Sequence, residues 1–165
     1  MRSPSDVVSR GSAVILAAGM GTRMRSRRSK VLHPALGRPI VHYPVAAAQD
    51  AGLDVVVVVH HQEDEVRAAL AGQGVGFARQ EAPRGTGDAV ASALGKLPPD
   101  RVVVVLCGDG PLIRAETLTA LLDAHGPSGK GALVTVMTVT LDEPGAYGRL
   151  VRAPLRDTLL ASNAN

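Results

Sequence analysis

In the stretch LAAGMGTRMRSRRSKVLH, Leu16 to His33, the small residues Ala17, Ala18, Gly19 and Gly21 are followed by five cations: Arg23, Arg25, Arg27, Arg28 and Lys30. Glycine and alanine let backbone N–H groups approach a ligand closely, and successive amides in a turn can form a concave anion site. Cations directly behind such a loop suit a phosphate ligand. The competing reading is a tight strand–helix turn with solvated basic residues, which leaves the closeness of Arg23 and Lys30 to the loop unexplained. Two better-known phosphate loops are excluded. Gly19 to Met24 begins like G-x-G-x-x-G but ends in methionine, and the second apolar run leads into His60 and His61 rather than a ribose-binding acid. No G-x-x-x-x-G-K-[ST] occurs.

Asp109 stands at the end of VVVVLCGDGPL, the most apolar run, before Gly110 and Pro111. A carboxylate at the rim of a buried strand can hold a hard cation such as Mg²⁺, whose remaining ligands come from substrate phosphates and water. An Asp capping a turn is equally common; the neighbouring phosphate loop tips the balance towards metal. Gln80, in RQEAPRGTGDAV, carries both donor and acceptor and precedes the Gly85-Thr86-Gly87 turn. An amide with nearby backbone groups can read a nucleobase edge. On spacing alone, however, the segment reads better as a helix N-terminus capped by Thr86 or Asp88.

The histidines (His33, His42, His60, His61, His125) show no metal spacing and read as structural or surface groups. Cys107, the single cysteine, excludes an internal disulfide and any C-x-x-C site, and is expected to pack near a strand end. No G-x-S-x-G elbow occurs, so covalent catalysis is poorly supported.

The elements that must position these residues follow from hydrophobic patterning. Ala13–Gly19, Asp54–His60, Arg101–Asp109 and Ala132–Thr140 are apolar, β-branched runs, and Val75–Gln80 is a shorter one. Their lack of polar alternation predicts parallel strands covered on both faces. Helical spacing joins Val90, Ala93, Leu94 and Leu97, then Leu118, Leu121, Leu122 and His125, with weaker patterns over 40–51 and 63–71. Alternating strand and helix predicts right-handed βαβ units and an α/β, Rossmann-like, doubly wound, mostly parallel sheet. Ligands of such sheets sit beyond the carboxyl ends of the strands, where Gly19, Gln80 and Asp109 fall.

With 165 residues, one domain is expected, and with aromatics at 2% its core must be built from Val, Leu and Ala. The net charge of +3 is concentrated between Arg23 and Lys30 and suits an anionic small molecule. The scarcity of aromatics removes the stacking platform of single-strand nucleic-acid binders. No run resembles a signal peptide or a membrane span, so a cytoplasmic protein with no membrane partner is expected.

Taken together, LAAGMGTRM, KVLH, QEAPRGTGDAV, GDGPL and AYGRLVR resemble, in order and spacing, the sugar-1-phosphate nucleotidyltransferases. The likeness is greatest to the uridylyltransferase half of the bacterial bifunctional enzymes that make UDP-N-acetylglucosamine. It implies the nucleotidyltransferase, glycosyltransferase-A-like form of the doubly wound sheet. It also implies Mg²⁺ as cofactor, UTP and N-acetylglucosamine-1-phosphate as substrates, and a place in cell-wall precursor synthesis. By the same resemblance Leu16, Ala17, Ala18 and Gly19 line the nucleotide, and Arg23 and Lys30 act on its triphosphate. Gln80, Gly85 and Thr86 recognise uracil, Asp109 binds the metal, and Gly148 touches the sugar nucleotide.

The likeness runs from Ala13 to Arg152. It implies a leader over 1–11, the nucleotidyltransferase domain over 12–152 and a divergent tail over 153–165. The family's sugar-binding glutamate and later asparagines have no counterparts here, so the expected content is the nucleotide half of a site, with an exposed sheet edge that favours self-association. Three readings stay open: the uridylyltransferase, a nucleotidyltransferase for another base or sugar phosphate, and a non-catalytic nucleotide-binding module.

Overall fold

Five consecutive valines, Val55–Val59, form most of one strand and are buried throughout. Valine's branched Cβ fits a pleated surface packed on both sides. The same logic builds the rest of the sheet in the computed structural model, which describes residues 11–21, 24–126 and 132–151.

In chain order the strands are β1 (Gly11–Leu16), β2 (Pro34–Ala35), β3 (Arg38–Pro39), β4 (Leu53–Val59), β5 (Gly76–Arg79) and β6 (Val103–Cys107). The helices are α1 (His42–Asp50), α2 (Glu63–Ala69), α3 (Thr86–Ala93) and α4 (Ala115–His125). β2 and β3 make a small antiparallel hairpin, unforeseen in the sequence, around Leu36 and Gly37 at positive φ. The other strands form one parallel sheet in the order β5-β4-β1-β6.

Period-two alternation sends successive side chains of β1 to opposite layers. Ala13 and Ile15 pack with Val55, Val57 and Val59 beneath Val45 and Ala48 of α1, Val66 of α2 and Leu118 of α4. Val14 faces the other way, with Val56, Val58 and Ala78 against Ala89 and Ala93 of α3. The sheet is therefore doubly wound, as expected.

Strand order reverses beside β1: the chain runs outward from β1 through β4 to β5, then returns by α3 to β6 on the opposite flank. The carboxyl ends of β1 and β6 flank that reversal, the usual ligand crevice of such folds. They are in register, Leu16 opposite Cys107, and the Gly108 N–H donates to the Leu16 carbonyl at 2.9 Å.

One expected strand is absent. Residues 132–140 form neither strand nor helix, and Leu133, Val134, Val136, Met137 and Val139 are exposed. Strand composition does not supply a ladder partner. The run instead lies across a groove of about 920 Å³ from the outer strand β6 and from α4, where His125 Nδ1 lies 2.9 Å from the Thr135 hydroxyl. Among the described residues no helix is long and apolar enough to cross a membrane.

Candidate functional site

The crevice is built from two glycine contacts and one ion pair. After β1 the loop passes through buried Ala17 and Ala18 to exposed Gly19, where a Cβ would meet open space. Gly21 takes a left-handed φ of 63°, and a Cβ there would come within 2.7 Å of the Lys30 Cβ. The loop thus folds onto Lys30, which begins a 3₁₀ turn, Lys30–Leu32, anchored by buried Val31 and Leu32. On the facing strand, a Cβ on Gly108 would lie 2.8 Å from the Leu16 carbonyl oxygen and 3.3 Å from Val31 Cγ1. Only glycine lets the end of β6 close against both, and Asp109 follows it.

That closure pairs the Lys30 ammonium with the Asp109 carboxylate. Their side chains retain 44% and 32% of their exposure, so the pair sits at the mouth of the crevice rather than inside the core. A further tie comes from Gln62, in left-handed conformation, whose side-chain carbonyl accepts from the Ser29 N–H and fixes the basic segment to the start of α2. Nothing in the sequence signals that bond, since a left-handed glutamine has no motif.

Gln80 closes β5 two strands from β1. Its N–H donates to the Val59 carbonyl at 2.8 Å, and its own carbonyl lies 2.8 Å from His60 Nδ1. The side chain is buried, 3% exposed, and its Nε2 donates to the Gly85 carbonyl (3.2 Å) and to Asp88 Oδ2 (2.8 Å). Arg84 holds the other carboxylate oxygen of Asp88 at 2.9 Å. The Gln80 bond first, and Arg84 after it, hold the Asp88 carboxyl below its ordinary value, against an opposing desolvation. The cap of α3 differs from expectation: Gly85, at φ 115°, is the cap residue, and neither Thr86 nor Asp88 caps the helix with its side chain. Asp88 is instead committed to Gln80 and Arg84, while Thr86 is exposed on the first turn.

Of the residues singled out by sequence, the structure therefore brings together Leu16 to Gly19, Lys30 and Asp109 in one crevice, and Gln80 with Gly85 at the carboxyl end of β5. Arg23 lies outside the described residues. Arg25, Arg27 and Arg28 are exposed. Gly148 lies in an exposed stretch braced by Arg149, whose guanidinium donates to the Tyr147 and Gly145 carbonyls. Cys107 ends β6 as foreseen but is exposed rather than packed. Two necessities escaped the sequence reading: Gly108, whose need is a long-range close approach, and Gln62.

Residues 13–165 match the family model of the MobA-like NTP transferase domain. The chain belongs to that family. Relatives of this NTP transferase domain include the bifunctional protein GlmU of Geobacter metallireducens, 51% identical over 144 residues that cover 86% of this chain and 30% of that protein. GlmU of Paraburkholderia phymatum is 51% identical over 140 residues, covering 84% and 30%. The chain thus spans about three-tenths of the length of the curated relatives it matches.

Among solved structures, a nucleotidyl transferase from Methanothermobacter superposes with a TM-score of 0.59 at 27% identity, covering 68% of this chain and 56% of that one. Rv0371C of Mycobacterium tuberculosis, in complex with manganese, gives 0.58 at 25% identity, covering 69% and 58%. The NTP transferase domain thus shares the mostly parallel sheet of the glycosyltransferase-A-like nucleotidyltransferases.

Proposed function

We propose that the chain binds UTP along the carboxyl edge of its sheet and transfers UMP to N-acetylglucosamine-1-phosphate, releasing pyrophosphate. The observation that carries this reading is the Lys30–Asp109 pair at the reversal of strand order, with Gln80 at the far end of the same edge. Three strand spacings separate β5 from β6, about 14 Å, a span that an extended nucleoside triphosphate can bridge. The likeness to GlmU supports uracil and the amino-sugar phosphate as the particular substrates.

In this reading Gln80, Gly85 and Thr86 hold the base, and the backbone of Leu16, Ala17, Ala18 and Gly19 lies against the nucleotide. Lys30 faces the triphosphate, Arg23 is assigned to it by the family resemblance alone, and Gly148 would meet the sugar nucleotide. An oxygen of the sugar phosphate attacks the α-phosphorus in line. The bond from that phosphorus to the β-phosphate oxygen breaks, and pyrophosphate leaves with both electrons. Such transfer needs positioning and charge neutralisation more than a covalent partner. Lys30 contributes by placing an ammonium beside the negative charge that accumulates on the departing phosphates.

Asp109 fits a divalent cation. It offers hard oxygens at the solvent-facing mouth of the crevice, and among the described residues no group of three acidic, His or Cys ligands forms a closed protein site. One carboxylate with phosphates and water is the usual Mg²⁺ arrangement. When bound there, Mg²⁺ would neutralise phosphate charge; the manganese complex of Rv0371C supports divalent-metal use.

The test is pyrophosphate release from UTP, N-acetylglucosamine-1-phosphate and Mg²⁺, with Asp109→Ala as control and CTP and GTP as competitors. Release that is lost in the variant and unaffected by the competitors supports the reading. One observation favours a second reading, a nucleotide-binding module without turnover: Gly148 is exposed, and a Cβ on it would meet nothing within 4 Å. UTP binding with no pyrophosphate release would select it.

The open edge of β6, where Val105 is 45% exposed, also supports self-association. A dimer that dissociates on Val105→Lys, measured by sedimentation, would bear this out, and a concentration-independent monomer would exclude it.

A further inference from the structure

The side chain of Gln80 is held in one sense only. Its Nε2 lies within bonding distance of two groups that can only accept, the Gly85 carbonyl and the Asp88 carboxylate. Turning the amide over would set Oε1 against Asp88 Oδ2, where Nε2 now stands at 2.8 Å, acceptor against acceptor. Arg84 occupies Asp88 Oδ1, through Nε at 3.1 Å and the terminal nitrogen at 2.9 Å, so both carboxylate oxygens are committed and the charge is kept. The backbone of Gln80 is pinned on both sides as well, by Val59 and His60.

What remains is Oε1. It takes no hydrogen bond from any described residue, and it is not among the sealed, unpartnered polar atoms, which are Ser12 Oγ, Ser29 Oγ, His33 Nε2 and Glu63 Oε2. The amide that could have both donated and accepted is thereby reduced to an acceptor offered to a ligand.

We infer that Asp88 is a positioning residue that fixes Gln80 as an acceptor, so that the site selects a nucleobase carrying a ring N–H donor. This rests on the reading of Gln80 as a base contact. Uracil presents such a donor at N3. A base without it leaves Oε1 unpaired or facing a lone pair, and sites built around a buried polar contact discriminate strongly against ligands that cannot complete it.

The experiment is equilibrium binding of UTP and of 3-methyl-UTP, in which a methyl replaces the N3 proton, to the full chain and its variants. The native protein is expected to prefer UTP by about tenfold or more. In Asp88→Ala the amide loses the closer of its two acceptors and keeps only the longer contact to the Gly85 carbonyl, so it turns more readily to donate to a uracil carbonyl. The preference falls at least about threefold, chiefly through tighter 3-methyl-UTP binding. Asp88→Asn, nearly isosteric, is expected to behave likewise because its own amide can donate to Gln80, and it serves if the alanine variant fails to fold. Asp88→Glu keeps a carboxylate acceptor and is expected to retain much of the preference.

A general loosening of the site, or a purely steric penalty from the methyl group, would leave the ratio unmoved. An unchanged ratio in Asp88→Ala or Asp88→Asn, with Gln80→Ala losing it, overturns the role of Asp88 and spares the base contact. A native protein with no preference, or a preference that survives Gln80→Ala, overturns the base contact and the inference with it.

Discussion

The Lys30 ammonium and the Asp109 carboxylate, 79 residues apart in sequence, form an ion pair across the carboxyl ends of β1 and β6. The pair joins the two sequence features that suggested chemistry independently, the basic segment and the acid at the strand rim. On the proposed reading, a triphosphate would take over the ammonium and a divalent cation the carboxylate.

Because both partners keep much of their exposure, the pair contributes little to folding. Lys30→Met is expected to change unfolding free energy by less than about 1 kcal/mol while lowering turnover by about 10²- to 10³-fold. Urea unfolding beside initial rates of pyrophosphate release checks both halves. A variant as active as the parent would remove Lys30 from the chemistry.

Gly108→Ala places a methyl against the Leu16 carbonyl and Val31. The cost is expected at about 1–3 kcal/mol, and Asp109 must shift with its strand. Nucleotide turnover should fall more than Asp109-independent properties such as far-UV circular dichroism. Gly21→Ala adds a left-handed penalty of about 1–2 kcal/mol to its collision with Lys30 Cβ. Gly19→Ala, with open space around it, should leave stability nearly unchanged, so any effect on UTP affinity would be local.

The Asp88 carboxyl is held below its ordinary 3.8 by Gln80 and then by Arg84. A carboxyl with a depressed folded value stabilises the fold above its unfolded value, and that contribution is lost as pH falls through the folded value. The difference in melting temperature between the native protein and Asp88→Asn should therefore be constant from neutral pH to just above 3.8 and shrink below it. A difference that instead vanishes between pH 7 and 5 would contradict the assignment.

Leu118 of α4 is fully buried against the face shared with α1 and β1. Leu118→Ala is expected to cost about 2–5 kcal/mol, measured by denaturant midpoint. UTP affinity at temperatures where the variant stays folded should change little, since α4 lies under the sheet rather than at the crevice.

The parallel sheet could be read from the sequence because strands buried on both faces must be apolar at every position, as in Val55–Val59. The helices were legible from the spacing of Val90 and Ala93, and of Leu118 and Leu122. Residues 132–140 have the same composition, but composition reports only fitness for a sheet. Pairing depends on a neighbour, and the run lies across a groove from β6. At the site, Gly19, Lys30 and Asp109 stood out singly by type and spacing. Their closeness did not, because it depends on how tightly β6 closes on β1, which Gly108 decides. Asp88 was visible only as a helix-start acid, since its bond to Gln80 arises from the turn that brings β5 and α3 together.

Cys107 ends β6 two residues before Asp109, is exposed, and is the only cysteine in the chain. A maleimide fluorophore or nitroxide would therefore attach at a single, known point on the rim of the crevice, without any background thiol to remove. The protein comes with its own labelling handle, so ligand occupancy could be followed spectroscopically in the native sequence, before any substitution is made.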